Sequence, residues 1–201
     1  MNIIPKAFYL QDDVVSLSRQ FLGKYLFTKV NGHISGGKIV ETEAYSHIND
    51  KACHSHMKKR TPRTEIMFHE GGVAYIYKIY GMYDLFNIIT NKEGKADAVL
   101  VRAIEPTDGI ELMQHRRNLH DFSVRLTAGP GMLSQALGIS KAMYGAELTK
   151  AEQIWIEDRQ TNVSEGDIIA SPRVGIDYAG DDALLPWRFR VKGNRWTSKA
   201  K

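Results

Sequence analysis

The sequence predicts an α+β fold: a single compact domain over residues 1–201, with a mostly antiparallel curved sheet, flanking helices and a protruding β-hairpin. Three observations carry this. Helix-like and strand-like segments are mixed along the chain, and most strand pairs are joined by hairpin-type turns. No repeat period and no Pro/Ser-rich linker divides the chain. Its 201 residues, 43% hydrophobic and 25% charged, suffice for one real core. That composition excludes low-complexity disorder, a collagen-like chain and a disulfide mini-scaffold.

The elements follow in order. Asp12-Asp13 ahead of Val14, Val15, Leu17, Phe21 and Leu22 predicts a helix with an acidic N-cap, closed by Gly23. Residues 25–30 and 37–45 read as strands, with Asn31-Gly32 as a turn. Residues 46–63 read as a polar loop that carries functional groups. Thr61-Pro62 suits an N-cap and first helical residue, opening a short helix through Met67. Residues 73–79 and 83–90 form a hairpin with a type II′ turn over Gly81-Met82, leaving Tyr80 at the tip. Residues 98–104 are a further strand. Helices are expected from Thr107 to about Asn118 and from Pro130 to Leu137, ended by Gly138. Short strands are expected over 153–157, 168–170, 173–176 and 187–191.

Charge and cysteine usage bound the partners. Lys+Arg total 27 against Asp+Glu 23, so the net charge of +4 permits a polyanionic partner without demanding one. Cys53 is the single cysteine, so no internal disulfide is possible and a reducing, intracellular compartment is expected. Residues 1–13 lack the apolar stretch of a signal peptide or anchor. No apolar run approaches the roughly 20 residues that span a bilayer.

Alternation along a strand puts Glu41, Glu43 and Tyr45 on one face, opposite Val40, Thr42 and Ala44. If that face lines a cleft, crowding and burial would raise the pKa of at least one carboxylate, as a general base needs. If it is an edge strand, it is merely a solvated acidic face. Tyr75 and Tyr77 share a face with Val73 and Ile79, and Tyr75 and Tyr83 suit core packing. Tyr80, at a hairpin tip, has little to pack against and suits stacking on bases or anchoring an interface. Asn87, with Tyr83 and Leu85 on its face, needs hydrogen-bond partners or reads a ligand. Basic residues gather at Lys58, Lys59, Arg60 and Arg63, and in the tail Arg188, Arg190, Lys192, Arg195, Lys199 and Lys201. They are either a solvated surface or a phosphate-backbone footprint. His54-Ser55-His56 lacks the spacing of a zinc site, so no metal is expected. Cys53 beside His54 lacks the geometry of a nucleophile–base pair.

Together the segments GKIVETEAY (37–45), ACHS (52–55), YIYKIYGMYDLFNI (75–88), VLVRAIEP (99–106), GPGMLSQAL (129–137), PRVGI (172–176) and WRFRVKGNRW (187–196) resemble the alkyladenine (3-methyladenine) DNA glycosylase family, of the AAG/MPG type. The resemblance implies a monofunctional DNA glycosylase that flips out alkylated purines from duplex DNA and excises them, leaving an abasic site. 3-Methyladenine and 7-methylguanine are the expected lesions, with hypoxanthine and ethenoadenine as further candidates. It implies that Glu43 activates water, and that Arg102 and the Val174 carbonyl help hold that water. Tyr45, His54 and Tyr77 would sandwich the extruded base, with Asn87 disfavouring guanine's exocyclic amine. Tyr80 and Met82 would intercalate from a DNA-inserting hairpin. No cofactor and no membrane contact is implied, and a monomeric, cytoplasmic, bacterial protein is expected, nucleoid-associated when bound to DNA. Two other readings stand beside this: a non-catalytic nucleic-acid-binding module using the Tyr80 hairpin, and a hydrolase or transferase acting on a free small molecule at the Glu41/Glu43 face.

Overall fold

The structure, a computed structural model, describes residues 2–199. Eight strands form one antiparallel sheet: β1 (Tyr25–Val30), β2 (His33–Tyr45), β3 (Ala74–Ile79), β4 (Tyr83–Thr90), β5 (Asp97–Asp108), β6 (Ile154–Glu157), β7 (Ile168–Ser171) and β8 (Arg188–Val191). The spatial order is β3-β4-β5-β2-β1-β6. β8 pairs with β2 along Glu41–Glu43, beyond the end of β1, and β7 pairs with β8. The second half of β2 is therefore central, flanked by β5 and β8. This removes the reading of Glu41 and Glu43 as a solvated edge: both are fully buried.

Four α-helices accompany the sheet: α1 (Lys6–Tyr9), α2 (Val14–Gln20), α3 (Ile110–Arg117) and α4 (Pro130–Leu137). The Asp13 side chain caps α2 by accepting from the Val15 and Ser16 N–H groups, satisfying donors that a helix start leaves orphaned. The alternation along the strands divides the sheet into two faces. Val40 and Ala44, Ala74 and Ile76, Phe86 and Ile88, and Val99 and Val101 join the main core, with Leu17, Phe21, Leu133 and Leu137 of the helical regions. The other face carries Tyr75, Tyr77, Ile89 and Ala98, which pack with Cys53, Met67 and Phe68 in a second cluster. Site residues share this second face, so the first supplies stability while the second is free to carry chemistry.

Pairing between β2 and β5 is irregular where it matters. Its register runs Ile39 to Ile104, Glu41 to Ala103, then Thr42 to Val101, passing over Val40 on one strand and Arg102 on the other. Such bulges re-aim side chains. Here the Arg102 guanidinium reaches Glu41 and Glu43 on the neighbouring strand. Glu41 is the hub of a buried cluster. Its Oε1 accepts from Arg102 Nε, Arg188 Nε and Ser198 Oγ, each at 2.8 Å, and its Oε2 from the Ser198 N–H at 2.5 Å. One carboxylate thus ties β5, β8 and the C-terminal segment to β2.

The elements correct several expectations. The hairpin turn lies one residue earlier than expected. Tyr80 and Gly81 both have positive φ (52° and 70°), and the Met82 N–H donates to the Ile79 carbonyl, as in a type I′ turn. Tyr80 rather than Gly81 opens the turn, taking a backbone region that glycine usually supplies. Residues 61–64 form turns, with Thr61 Oγ1 accepting from the Thr64 N–H, and the helix that follows is a 3₁₀ turn over Glu65–Phe68. Residues 107–108 end β5, because α3 begins after Gly109 in the left-handed region. Residues 173–176 form no strand; they turn at Gly175 (φ 74°) and deliver Val174 to the site. Of the basic tail expected at the surface, Arg188 is instead buried on Glu41. Lys192, Arg195 and Lys199 are exposed, and Lys201 lies outside the described residues.

A hub of this kind predicts a large stability loss on truncation. Glu41→Ala removes the carboxylate oxygen that two buried guanidiniums share and should cost about 3–5 kcal/mol in urea unfolding. A loss below about 1 kcal/mol would show that the cluster does not hold the strands together.

Candidate active site

The second sheet face opens into a cavity of about 490 Å³, within the range that takes a small ring system. Tyr45 of β2, Tyr75 and Tyr77 of β3, Asn87 of β4, and Leu100 and Arg102 of β5 line it from the sheet. His54 and Arg63 come from the long loop, Val174 from the turn after β7, Tyr178 from the 3₁₀ segment Asp177–Leu184, and Gly131 and Met132 from the start of α4. The structure therefore gathers Tyr45, His54, Tyr77, Asn87, Arg102 and Val174, all named from the sequence, on one wall system. Tyr80, at the cavity's edge, is 81% exposed, and Met82 beside it is 62% exposed.

Glu43 lies immediately behind this wall, fully buried, held by three cavity-lining groups. Its Oε1 accepts from the Val174 N–H at 2.8 Å and pairs with Arg102 Nη1 at 3.2 Å. Its Oε2 accepts from the Tyr45 hydroxyl at 2.8 Å. A carboxylate has about four acceptor positions, so these three partners leave capacity for a further donor such as water. Val174 was expected to act through its carbonyl; the contact seen is through its N–H. Glu41 shares Arg102 with Glu43 but takes its other partners, Arg188 and Ser198, from β8 and the C-terminal segment, which fits a structural role.

Burial sets the protonation of the aromatic wall. Desolvation raises the Tyr45 phenol well above its ordinary value, and nearby Glu43 raises it further, so Tyr45 remains a donor to that carboxylate. Burial also pushes Tyr77 up to about 12 and raises Tyr75. Burial, reinforced by the Arg63 charge, pulls the His54 imidazole down to about 4. His54 is therefore a neutral ring near pH 7. Its Nδ1 sits 2.8 Å from the Tyr75 hydroxyl, and it meets Tyr77 edge-to-face at 4.7 Å between centroids. Asn87 is buried and fixed: its Nδ2 donates to the Tyr75 carbonyl at 3.3 Å and to the Leu85 carbonyl at 3.5 Å. Cys53 is buried against Ser55, with its thiol pushed up to about 11, consistent with an inert side chain.

Sequence reasoning missed several wall residues. Tyr75 packs in the second cluster as expected, but its further place in the cavity wall, with its hydroxyl 2.8 Å from His54 Nδ1, was not foreseen. Tyr178 gave no signal, since a lone tyrosine in a polar segment has no pattern. Gly131 was not singled out, although a Cβ there would come within 2.7 Å of the Tyr83 ring; its absence lets α4 close against the hairpin root. Of the basic loop residues, Arg63 alone lines the cavity, while Arg60 pairs with Glu65 and lies over the Phe68 ring.

Comparison with known proteins places the whole chain in one family. The profile of the methylpurine-DNA glycosylase (MPG) family matches residues 7–195. A protein of Methanocella arvoryzae is 41% identical over 99% of this chain and 97% of its own length. One of Desulfitobacterium hafniense is 40% identical over 98% and 99%, and one of Chlamydia felis 42% over 93% and 95%. All three are provisionally named 3-methyladenine DNA glycosylases.

The depressed His54 pKa makes a signed prediction. The unfolded chain binds this proton below about 6.5 and the folded chain only near 4. Stability should therefore fall as pH drops from about 6.5 to about 4, and His54→Gln should flatten that part of the curve. Urea midpoints across this window test it; an unchanged slope in His54→Gln would contradict the assignment.

Proposed function

The chain belongs to the methylpurine-DNA glycosylase family, and from that premise we propose that it flips alkylated purines out of duplex DNA and hydrolyses their N-glycosidic bond, leaving an abasic site. 3-Methyladenine and 7-methylguanine are the lesions proposed first, with hypoxanthine and ethenoadenine as further candidates. The observation that carries this reading is a fully buried carboxylate, Glu43, held by Tyr45, Arg102 and Val174 behind an aromatic cavity. An exposed tyrosine stands at that cavity's edge.

Extrusion comes first, because an atom inside the duplex cannot be reached, and it costs a few kcal/mol. Tyr80, with Met82, fills the space that the nucleotide leaves, its rigid ring replacing lost stacking. The base enters between Tyr45 on one side and His54 with Tyr77 on the other. A purine methylated on a ring nitrogen is cationic and stacks well on electron-rich faces. The neutrality of His54 matters here, since an imidazolium would repel that base. Asn87, pinned by its two bonds to backbone carbonyls, offers a rigid edge against an exocyclic amine such as guanine's. 7-Methylguanine tolerates that edge because its glycosidic bond is already labile.

Glu43 takes a proton from a water while the water oxygen bonds to C1′. The C1′–N bond breaks, and its electron pair stays on the base. A cationic base leaves neutral without further help; hypoxanthine and ethenoadenine need a proton at the leaving nitrogen. Arg102, 3.2 Å from Glu43 Oε1, helps aim the carboxylate. General-base assistance of this kind is worth about 10²–10⁴-fold.

Release of free base from duplex DNA methylated at purine ring nitrogens tests the proposal. Glu43→Gln should bind this DNA about as tightly as the wild type yet release base at least about 100-fold more slowly. Affinity should fall steeply with salt for both proteins. Base release by Glu43→Gln at the wild-type rate would sink the mechanism, and binding without release by the wild type would point to a non-catalytic module.

A further inference from the structure

We infer that the buried Arg173–Asp50 pair is the positioning device of the site, setting Val174 against Glu43 and fixing the Tyr45 and His54 walls together. This rests on the reading of Glu43 as the base. Both side chains of the pair are fully buried. Arg173 donates from Nη1 to Asp50 Oδ2 at 2.7 Å and from Nη2 to Asp50 Oδ1 at 2.8 Å, a two-pronged contact that sets direction as well as distance.

Three arms of the site meet at this pair. First, Val174 follows Arg173 directly in the chain, and its N–H is the group that holds Glu43 Oε1. Second, the guanidinium carbon lies 4.8 Å from the centre of the Tyr45 ring and 5.1 Å from that of Trp187, while Nη1 also donates to the Ala44 carbonyl. Tyr45 is thereby held from behind while its hydroxyl binds Glu43. Third, Asp50 accepts from the Ser46 and Ala52 N–H groups, and its carbonyl accepts from the Cys53 N–H, which folds the turn that presents His54. Segments far apart in sequence are thus locked by one fork.

Stability is a poor reason for such a pair. Taking two charges out of water is costly, and an apolar pair of similar volume is often as stable or more so. Arg173 also leaves its buried Nε without a hydrogen-bond partner, a further cost for a side chain kept only for the fold. Geometry is what the fork supplies, and Lys cannot reproduce it.

Arg173→Lys keeps the positive charge and loses the fork. On methylated duplex DNA under single-turnover conditions, its rate should fall about 10–100-fold, as for other residues that orient a reacting group. The dissociation constant should stay within about threefold of the wild type. Asp50→Asn should lower the rate similarly at unchanged affinity, and it decides the matter if Arg173→Lys does not fold. A wild-type rate in either folded variant would overturn the inference. A rate lost only in proportion to the folded fraction would overturn it too. If Glu43→Gln also releases base normally, the reading of the site has failed; if only the pair's variants are silent, the inference alone has failed.

Discussion

Two carboxylates two residues apart on the buried face of a central strand are the constraint on which the rest of this structure depends. Burying two carboxylates inside a sheet is costly unless each is paired and hydrogen-bonded. The chain answers with the Arg102 guanidinium between them, brought into reach by the bulges of the β2–β5 pairing. Arg188 and the backbone and hydroxyl of Ser198 complete Glu41. Glu41 is thereby committed to joining strands. Glu43, with partners drawn from the cavity wall, keeps acceptor capacity on the side where chemistry is proposed.

The same sheet separates stability from function by its two faces. One face packs helices in an apolar core, and needs nothing from the site. The other carries aromatic rings, a neutral imidazole and a buried carboxylate, with Tyr45, Tyr75, His54 and Glu43 tied in by hydrogen bonds. The hairpin tip is different again: Tyr80 and Met82 stand out into solvent with little protein against them, an arrangement that makes sense when a partner supplies the packing. Rigid parts are thus placed where atoms must be aimed, and exposed apolar parts where a duplex is proposed to be distorted.

Much of this was legible in the chain. Alternation put Glu41, Glu43 and Tyr45 on one face, and the residues from Tyr75 to Asn87 declared a hairpin with its tip near Tyr80. Local rules reach such features because strand period and turn chemistry act over a few residues. What was not legible depends on distant partners. Whether the acidic face was wet or buried turns on β8, which arrives about 145 residues later in the chain. Arg188 read as surface charge because nothing local shows that Glu41 claims it. Tyr178 and the Arg173–Asp50 pair lacked a pattern altogether, since ion pairs between remote loops leave no periodic trace. The turn at Tyr80 was misplaced because a glycine was assumed to carry the positive φ alone.

The central claim is that one residue does the chemistry while another disturbs the duplex, and a single fluorescence measurement separates them. A 2-aminopurine placed beside a methylated purine brightens when its neighbour leaves the stack. Glu43→Gln should give the full rise of the wild type with no free base released in the same sample, and Tyr80→Ala should give little rise. A normal rise accompanied by normal base release from Glu43→Gln would contradict the account, as would an absent rise in the wild type.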